Sequence, residues 1–179
     1  MKLVILDRDG VINFDSDQYI KSPTEWRPIP GSIEAIARLY QNGYRVAVAT
    51  NQSGIGRGLF DMATLNAIND KMMEMVFRQG GRIDALFFCP HTAAEDCNCR
   101  KPRTGMFEEI AARFHTELKG VPTIGDSLKD LQAAESVGAQ PILVLTGKGE
   151  KTLRAGDFPR HTVIYPDLAF AAAALLAGD

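Results

Sequence analysis

The sequence predicts a doubly wound α/β domain, a parallel sheet with helices packed on both faces. Six short apolar runs read as strands, and most of them lack the in-and-out polar alternation of a sheet with one wet face, so they look buried on both sides. Helical patterns separate these runs, and strands that return parallel to one another need such crossovers. Cap residues and glycines punctuate most of the helical patterns at their ends.

In chain order, residues 2–6 form the first strand. A helix follows, with Ile33, Ile36, Ala37 and Tyr40 on one face, Ser32 as its expected N-cap and Gly43 after its last turn. Residues 45–50 give the second strand, and Leu65, Ile68, Met72 and Val76 mark a second helix started by Asp61. Residues 83–88 give the third strand, and Phe107, Ile110, Ala111 and Phe114 repeat at helical spacing after Thr104. The fourth strand covers 121–125, and its helix carries Leu131, Ala134 and Val137 before stopping at Gly138. Strands at 141–145 and 162–165 follow, and an alanine-rich helix spans 168–177.

At 179 residues the chain is expected to form one domain over 1–179, and it carries no internal repeat or low-complexity linker. Lys plus Arg number 20 against 22 for Asp plus Glu, which lacks the positive excess that nucleic-acid binding draws upon. No apolar run is long enough to span a bilayer, and the N-terminus enters a strand pattern directly. The expectation is a cytoplasmic protein, monomeric, with no nucleic-acid or membrane partner.

Two stretches break the rhythm. Residues 11–30 make a connection longer than strand-to-helix loops usually are, so a flap over a ligand and a self-packed surface loop both fit. Its polar string Asp15, Ser16, Asp17 and Gln18, with Phe14, Tyr19 and Trp26 nearby, suits contact with a hydroxylated ligand. The second break holds Cys89, His91, Cys97 and Cys99. Three thiols and an imidazole in two paired clusters make a complete tetrahedral set for Zn²⁺, and a site with all four positions filled is structural. Its expected task is to pin the segment that delivers Arg100 and Lys101. Free cysteines are the alternative.

The polar residues after each strand are more informative than any single motif. Strand one ends in Asp7 and Asp9, and strand two in Thr50, Asn51, Gln52 and Ser53. Strand three leads to Arg100 and Lys101, and strand four ends at Asp126, with Asp130 beyond. In a doubly wound sheet all four open on the carboxyl edge, where such sheets bind ligands. Two carboxylates about 4 Å apart repel by roughly 4 kcal/mol at an effective dielectric near 20, so Asp7 and Asp126 brought together require a cation. Oxygen ligands favour Mg²⁺, which accepts one or two carboxylates and keeps room for phosphate oxygens. Lys101, Arg100 and Thr50 then offset a phosphate dianion. Asp7 is placed to be the nucleophile and Asp9 to move protons, which amounts to metal-assisted phosphoryl transfer.

Asp7-Arg8-Asp9-Gly10-Val11, Thr50-Asn51-Gln52-Ser53-Gly54, Lys101 and Gly125-Asp126-Ser127 with Asp130 resemble the four ordered motifs of the haloacid dehalogenase superfamily of phosphatases. The segments around Gly54-Ile55-x-Arg57 and Cys99-Arg100-Lys101-Pro102 are similar to its heptose 1,7-bisphosphate 7-phosphatase and histidinol-phosphate phosphatase branches, which share the cysteine loop. The resemblance implies a haloacid dehalogenase-type sheet without a large cap domain. It implies Mg²⁺ on the side chains of Asp7 and Asp126 and the backbone carbonyl of Asp9, with Asp130 supporting them. Thr50 and Lys101 hold the phosphoryl group. Asn51, Gln52, Ser53, Arg57, Arg100 and the 15–18 string contribute to phosphate or sugar binding. The expected activity is hydrolysis of the 7-phosphate of a heptose bisphosphate, a step in lipopolysaccharide precursor synthesis, with histidinol phosphate as the alternative substrate. One departure stands out, since heptose enzymes often carry lysine where this chain has Ser127. A non-catalytic zinc-loop binding module is the rival of another class.

Other signals are set aside. Gly54, Gly56 and Gly58 miss dinucleotide-binding spacing, and Thr146-Gly147-Lys148-Gly149 lacks the hydroxyl residue that a P-loop needs after its lysine. His115 and His161 lie away from the converging edge.

Overall fold

The computed structural model describes residues 1–178; Asp179, the last residue of the expected 1–179 unit, lies outside the described residues. Six strands form one sheet in the order β3-β2-β1-β4-β5-β6, and all pair in parallel. They are β1 (Lys2–Leu6), β2 (Tyr44–Asn51), β3 (Ala85–Cys89), β4 (Pro122–Gly125), β5 (Gln140–Val144) and β6 (Val163–Tyr165). The helices are α1 (Ser32–Gln41), α2 (Met62–Arg78), α3 (Gly105–Phe114), α4 (Leu128–Ser136), α5 (Gly149–Ala155) and α6 (Leu168–Ala177).

Successive strand residues point to opposite faces, and the central strands are apolar at both parities. Val4, Leu6, Val46 and Val48 pack with Ile36 of α1, Met72 of α2 and Leu168 of α6. Leu3, Ile5, Ala47 and Ala49 pack on the other face with Phe107 and Ile110 of α3 and Ala133 of α4. Each buried Leu, Ile or Val contributes about 1.5–3 kcal/mol, so the two half-cores hold the sheet between its helices. The edges depart from expectation. β3 is only half-buried over most of its length and β6 is largely exposed, because an edge strand has a neighbour on one side alone.

Two helix details also differ. α5 carries no apolar stripe long enough to declare itself in the sequence. The N-cap of α1 is Gly31, in the left-handed region at φ 88°, and Ser32 instead donates its hydroxyl to the Val11 carbonyl at 2.9 Å. That bond ties the 11–30 connection to α1. Val11, Ile12, Ile20, Trp26 and Ile29 of this connection are all buried, so most of it is a strap packed into the core. Only its 15–19 stretch reaches the carboxyl edge.

The strand order places β1 between β2 and β4, so the chain winds outward in both directions from the β1–β4 seam. The crevice beyond such a seam is where open α/β sheets bind ligands.

Candidate active site

Asp7 follows β1 and Asp126 follows β4, one on each side of that seam. The two strands are in register at Leu6 and Ile124, and the Asp7 N–H donates to the Ile124 carbonyl at 2.9 Å. One carboxylate oxygen each from Asp7, Asp126 and Asp130 falls within 4.8 Å of the others. A cavity of about 610 Å³ opens over them.

Close approach at this point depends on glycine. Gly10 turns the chain at φ +86°, and a Cβ there would lie 2.0 Å from Asp126 Oδ2. Gly147 covers the other side at φ +57°, where a Cβ would lie 2.2 Å from the same oxygen.

Lys101 bridges the acids. Its buried ammonium lies 3.1 Å from Asp7 Oδ1 and 2.7 Å from Asp130 Oδ1, and it donates to the Ala49 carbonyl at 2.6 Å. Asn51 fixes the Lys101 backbone from both sides, accepting its N–H at 3.0 Å and donating to its carbonyl at 3.1 Å. Asp130 completes a capping box on α4, its Oδ2 accepting from the N–H of Asp126 and from the N–H and hydroxyl of Ser127.

The electrostatics separate these acids. Burial and the Asp130 charge raise Asp7 to about 7, although Lys101 opposes them. Burial with the charges of Asp130 and Asp7 raises Asp126 to about 9, against the Lys148 N–H at 2.8 Å from its Oδ2. Asp130 is held below the usual carboxylate range: Lys101 and Ser127 outweigh its burial. The Lys101 ammonium is held well above its ordinary range because Asp130 and Asp7 outweigh burial. Three close carboxylates thus have one ammonium among them, which contacts Asp7 and Asp130 and not Asp126, and the two least compensated acids sit on the seam. Hard oxygen donors carrying excess negative charge in a half-open cavity suit Mg²⁺.

Asp9 is arranged differently. Its carboxylate accepts from Arg8 Nε at 2.8 Å, Arg8 Nη2 at 3.3 Å, Asn13 at 3.0 Å and Gln52 at 3.1 Å. Burial raises its pKa, but these donors more than reverse that and leave it lowered. Arg8 is itself fully buried and reaches Asn69 on α2 at 3.0 Å.

Of the other residues expected at the site, Thr50, Asn51, Ser53, Arg100, Asp15, Ser16 and Asp17 line the cavity. Three do not. Gln18 faces a separate surface hollow on the strap. Gln52 is buried behind the wall, where its amide bridges Asp9 and the Thr50 hydroxyl at 3.1 and 2.9 Å. Arg57 stacks on the Tyr19 ring, 5.9 Å from its centre, and braces the strap from outside.

The sequence reading missed Thr146, Lys148 and Lys129. The Thr146 hydroxyl donates to the Gly10 carbonyl at 2.6 Å, and Lys148 and Lys129 line the cavity. The loop of Thr146 and Lys148 was discarded as a failed P-loop, yet it follows β5 on the same edge, and that placement was the available signal.

Cys89, His91, Cys97 and Cys99 bring their ligand atoms within 4.8 Å of one another. The Sγ–Sγ separations are 3.0, 3.5 and 3.6 Å, and His91 Nδ1 lies 3.3 and 3.5 Å from two sulfurs. A tetrahedron with zinc–sulfur bonds of about 2.3 Å has edges of about 3.8 Å, so these donors match its size and softness. No disulfide joins the thiols. Arg100 and Lys101 follow Cys99 directly, and Arg100 Nη1 reaches back to the His91 carbonyl at 3.5 Å.

Comparison with known proteins places this geometry. A HAD-hydrolase-like family model matches residues 98–171, and a polynucleotide kinase 3 phosphatase model matches residues 2–131. The chain is 56% identical to the D-glycero-beta-D-manno-heptose-1,7-bisphosphate 7-phosphatase of Bordetella bronchiseptica, over 98% of each chain. It is 54% identical to the enzyme of the same name from Pseudomonas putida, over 98% of this chain and all of that one. The crystal structure of the B. bronchiseptica D,D-heptose 1,7-bisphosphate phosphatase, complexed with magnesium and phosphate, superposes with a TM-score of 0.99 at 55% identity over all of both chains. The chain therefore belongs to the D-glycero-beta-D-manno-heptose-1,7-bisphosphate 7-phosphatase family of the haloacid dehalogenase-like hydrolases.

Proposed function

We propose that this protein is a Mg²⁺-dependent phosphatase that removes the 7-phosphate from D-glycero-D-manno-heptose 1,7-bisphosphate in lipopolysaccharide precursor synthesis. The observation that carries this reading is the meeting of Asp7, Asp126 and Asp130 around Lys101 at the β1–β4 seam. The relatives named for this reaction, nearly full-length matches to the chain, support the substrate.

Asp7, Asp126 and the Asp9 carbonyl are the residues that would hold Mg²⁺. Bound there, the ion supplies positive charge to the phosphoryl oxygens and relieves the repulsion between the acids. Asp7 attacks phosphorus with a carboxylate oxygen, the bond from phosphorus to the sugar oxygen breaks, and an aspartyl-phosphate forms on Asp7. Lys101 and the Thr50 hydroxyl hold phosphoryl oxygens while charge spreads over them. The approaching dianion raises the proton affinity of Asp9, which takes up a proton from solvent and gives it to the departing sugar oxygen. Asp9 then takes a proton from water as that water attacks the aspartyl-phosphate, releasing phosphate and restoring Asp7. Asp130 keeps Lys101 charged and seats the Asp126 backbone.

Cys89, His91, Cys97 and Cys99 hold a structural Zn²⁺ in this reading. Asp15, Ser16 and Asp17 face the sugar hydroxyls, and Ser53 and Asn51 support the phosphate side. The protein acts as a cytoplasmic monomer of one domain, a compartment that suits its free thiols. No helix is long and apolar enough to cross a membrane.

A kinetic panel tests the function. The expected result is a kcat/KM for the heptose bisphosphate far above that for histidinol phosphate, abolished by chelation and restored by Mg²⁺. A preference for histidinol phosphate overturns the substrate, and no turnover of any phosphate monoester overturns the enzyme.

A further inference from the structure

Gln52 reads as a substrate ligand in the sequence, yet it lies buried behind the cavity wall with its amide between two residues that line the cavity, Asp9 and Thr50. Gln52 Nε2 is 3.1 Å from Asp9 Oδ2 and 2.9 Å from Thr50 Oγ1. An ionised carboxylate only accepts hydrogen bonds, so the amide nitrogen must face Asp9, and its second hydrogen then goes to the Thr50 oxygen. That leaves the single hydroxyl hydrogen of Thr50 for another acceptor. The Asn51 carbonyl, at 3.5 Å, is too distant to hold it firmly, and on the cavity side the hydrogen is available to a phosphoryl oxygen. The backbone behind the amide is fixed, since the Gln52 N–H donates to the Cys89 carbonyl at 2.7 Å, at the end of β3. Arg8 and Asn13 also hold Asp9, but among the described residues Gln52 alone bonds to both Asp9 and Thr50.

We infer that Gln52 is a positioning residue that ties the phosphate-binding hydroxyl to the proton donor. It aims the Thr50 hydroxyl at the transferring phosphoryl group and fixes the Asp9 carboxyl where the departing oxygen needs its proton. The inference rests on the proposed phosphatase reaction and deepens it. One planar amide sets the spacing of the two groups, so both meet the substrate in a single geometry. In the step they serve, the bond from phosphorus to the sugar oxygen breaks, its electron pair stays on that oxygen, and the oxygen takes the proton from Asp9. A sugar alkoxide needs this proton to leave, whereas the anion of an acidic phenol departs without one.

The experiment compares kcat/KM for heptose 1,7-bisphosphate and for 4-nitrophenyl phosphate in the wild type, Gln52→Met and Gln52→Asn, with inhibition by inorganic phosphate measured alongside. Gln52→Met removes the amide, and Gln52→Asn keeps it but withdraws it by one methylene, so neither spans both partners. In each variant the ratio of sugar phosphate to aryl phosphate kcat/KM should fall about 10-fold or more, a fraction of what a placed general acid contributes. The inhibition constant of phosphate should rise by roughly 2- to 10-fold, as expected for one misdirected hydrogen bond. Equal losses on the two substrates, which a merely structural role would produce, or an unchanged phosphate inhibition constant overturn the inference while leaving the proposed function intact. A wild type that turns over neither substrate overturns the function itself, and the inference with it.

Discussion

The ammonium of Lys101 lies 3.1 Å from Asp7 Oδ1, although 94 residues separate the two along the chain. The contact joins the end of β1 to the segment behind the cysteine loop. It holds the proposed nucleophile in the cavity and supplies the charge that a phosphoryl group would meet.

Lys101→Met keeps the volume and removes the charge, leaving Asp7 and Asp130 buried together without their shared partner. Breaking a buried pair in this way costs about 3–5 kcal/mol. Urea unfolding should therefore show a lower midpoint, and kcat/KM should fall about 100-fold or more with the loss of a phosphate-binding charge. A variant with wild-type turnover would remove Lys101 from the site.

The raised proton affinities of Asp7 and Asp126 give a sign to the pH dependence of the metal-free protein. A carboxyl that holds its proton more tightly when folded makes the native state bind more protons than the unfolded one, so stability falls as pH rises. Asp7 titrates at about 7 and Asp126 at about 9 when folded, against the ordinary value of 3.8, so the loss accumulates throughout pH 5 to 7. Asp9 and Asp130 are shifted downward and lose stability only on acidification below the ordinary carboxylate range. In chelator that spares the zinc, Tm should decline from pH 5 to 7, and Mg²⁺ should flatten the decline. A Tm that rises across this window without Mg²⁺ contradicts the charge cluster.

Much of this was legible in the sequence because strand ends and caps are local. The apolar run at 2–6 had one place to go, and the order of the acids along the chain followed from strand succession. Residues such as Lys148 and Lys129 were not legible, because their role comes from the loop after β5 and the first turn of α4 folding over the same cavity. Gln18 and Arg57 were misjudged for a related reason: the sequence shows that the strap and the loop after β2 pass the site, but not which of their side chains turn inward. The exposure of β3 and β6 depends on sheet order, which apolar content alone does not reveal.

Metal analysis of the purified protein should find one zinc per chain. Cys97→Ser removes one of four donors and unpins the segment carrying Arg100 and Lys101, so both Tm and kcat/KM should drop. Full activity and an unchanged Tm in a zinc-free protein would leave the cysteine loop without its proposed task.

Gly10→Ala should be far more damaging than its single methyl group suggests. The backbone there is left-handed, and the new Cβ would overlap Asp126 Oδ2. We expect destabilisation by more than about 1 kcal/mol and loss of most turnover, since Asp126 must move from the seam. Calorimetry and a phosphate-release assay on the same sample check both.

The central claim is that phosphorus passes through the Asp7 carboxylate. Rapid quenching of the enzyme with heptose bisphosphate radiolabelled at the 7-phosphate, followed by borohydride reduction and peptide mass spectrometry, tests it most directly. The expected result is label transiently on the protein and homoserine in place of Asp7. Release of labelled phosphate with no labelled protein at any time, or trapping at another residue, would contradict it.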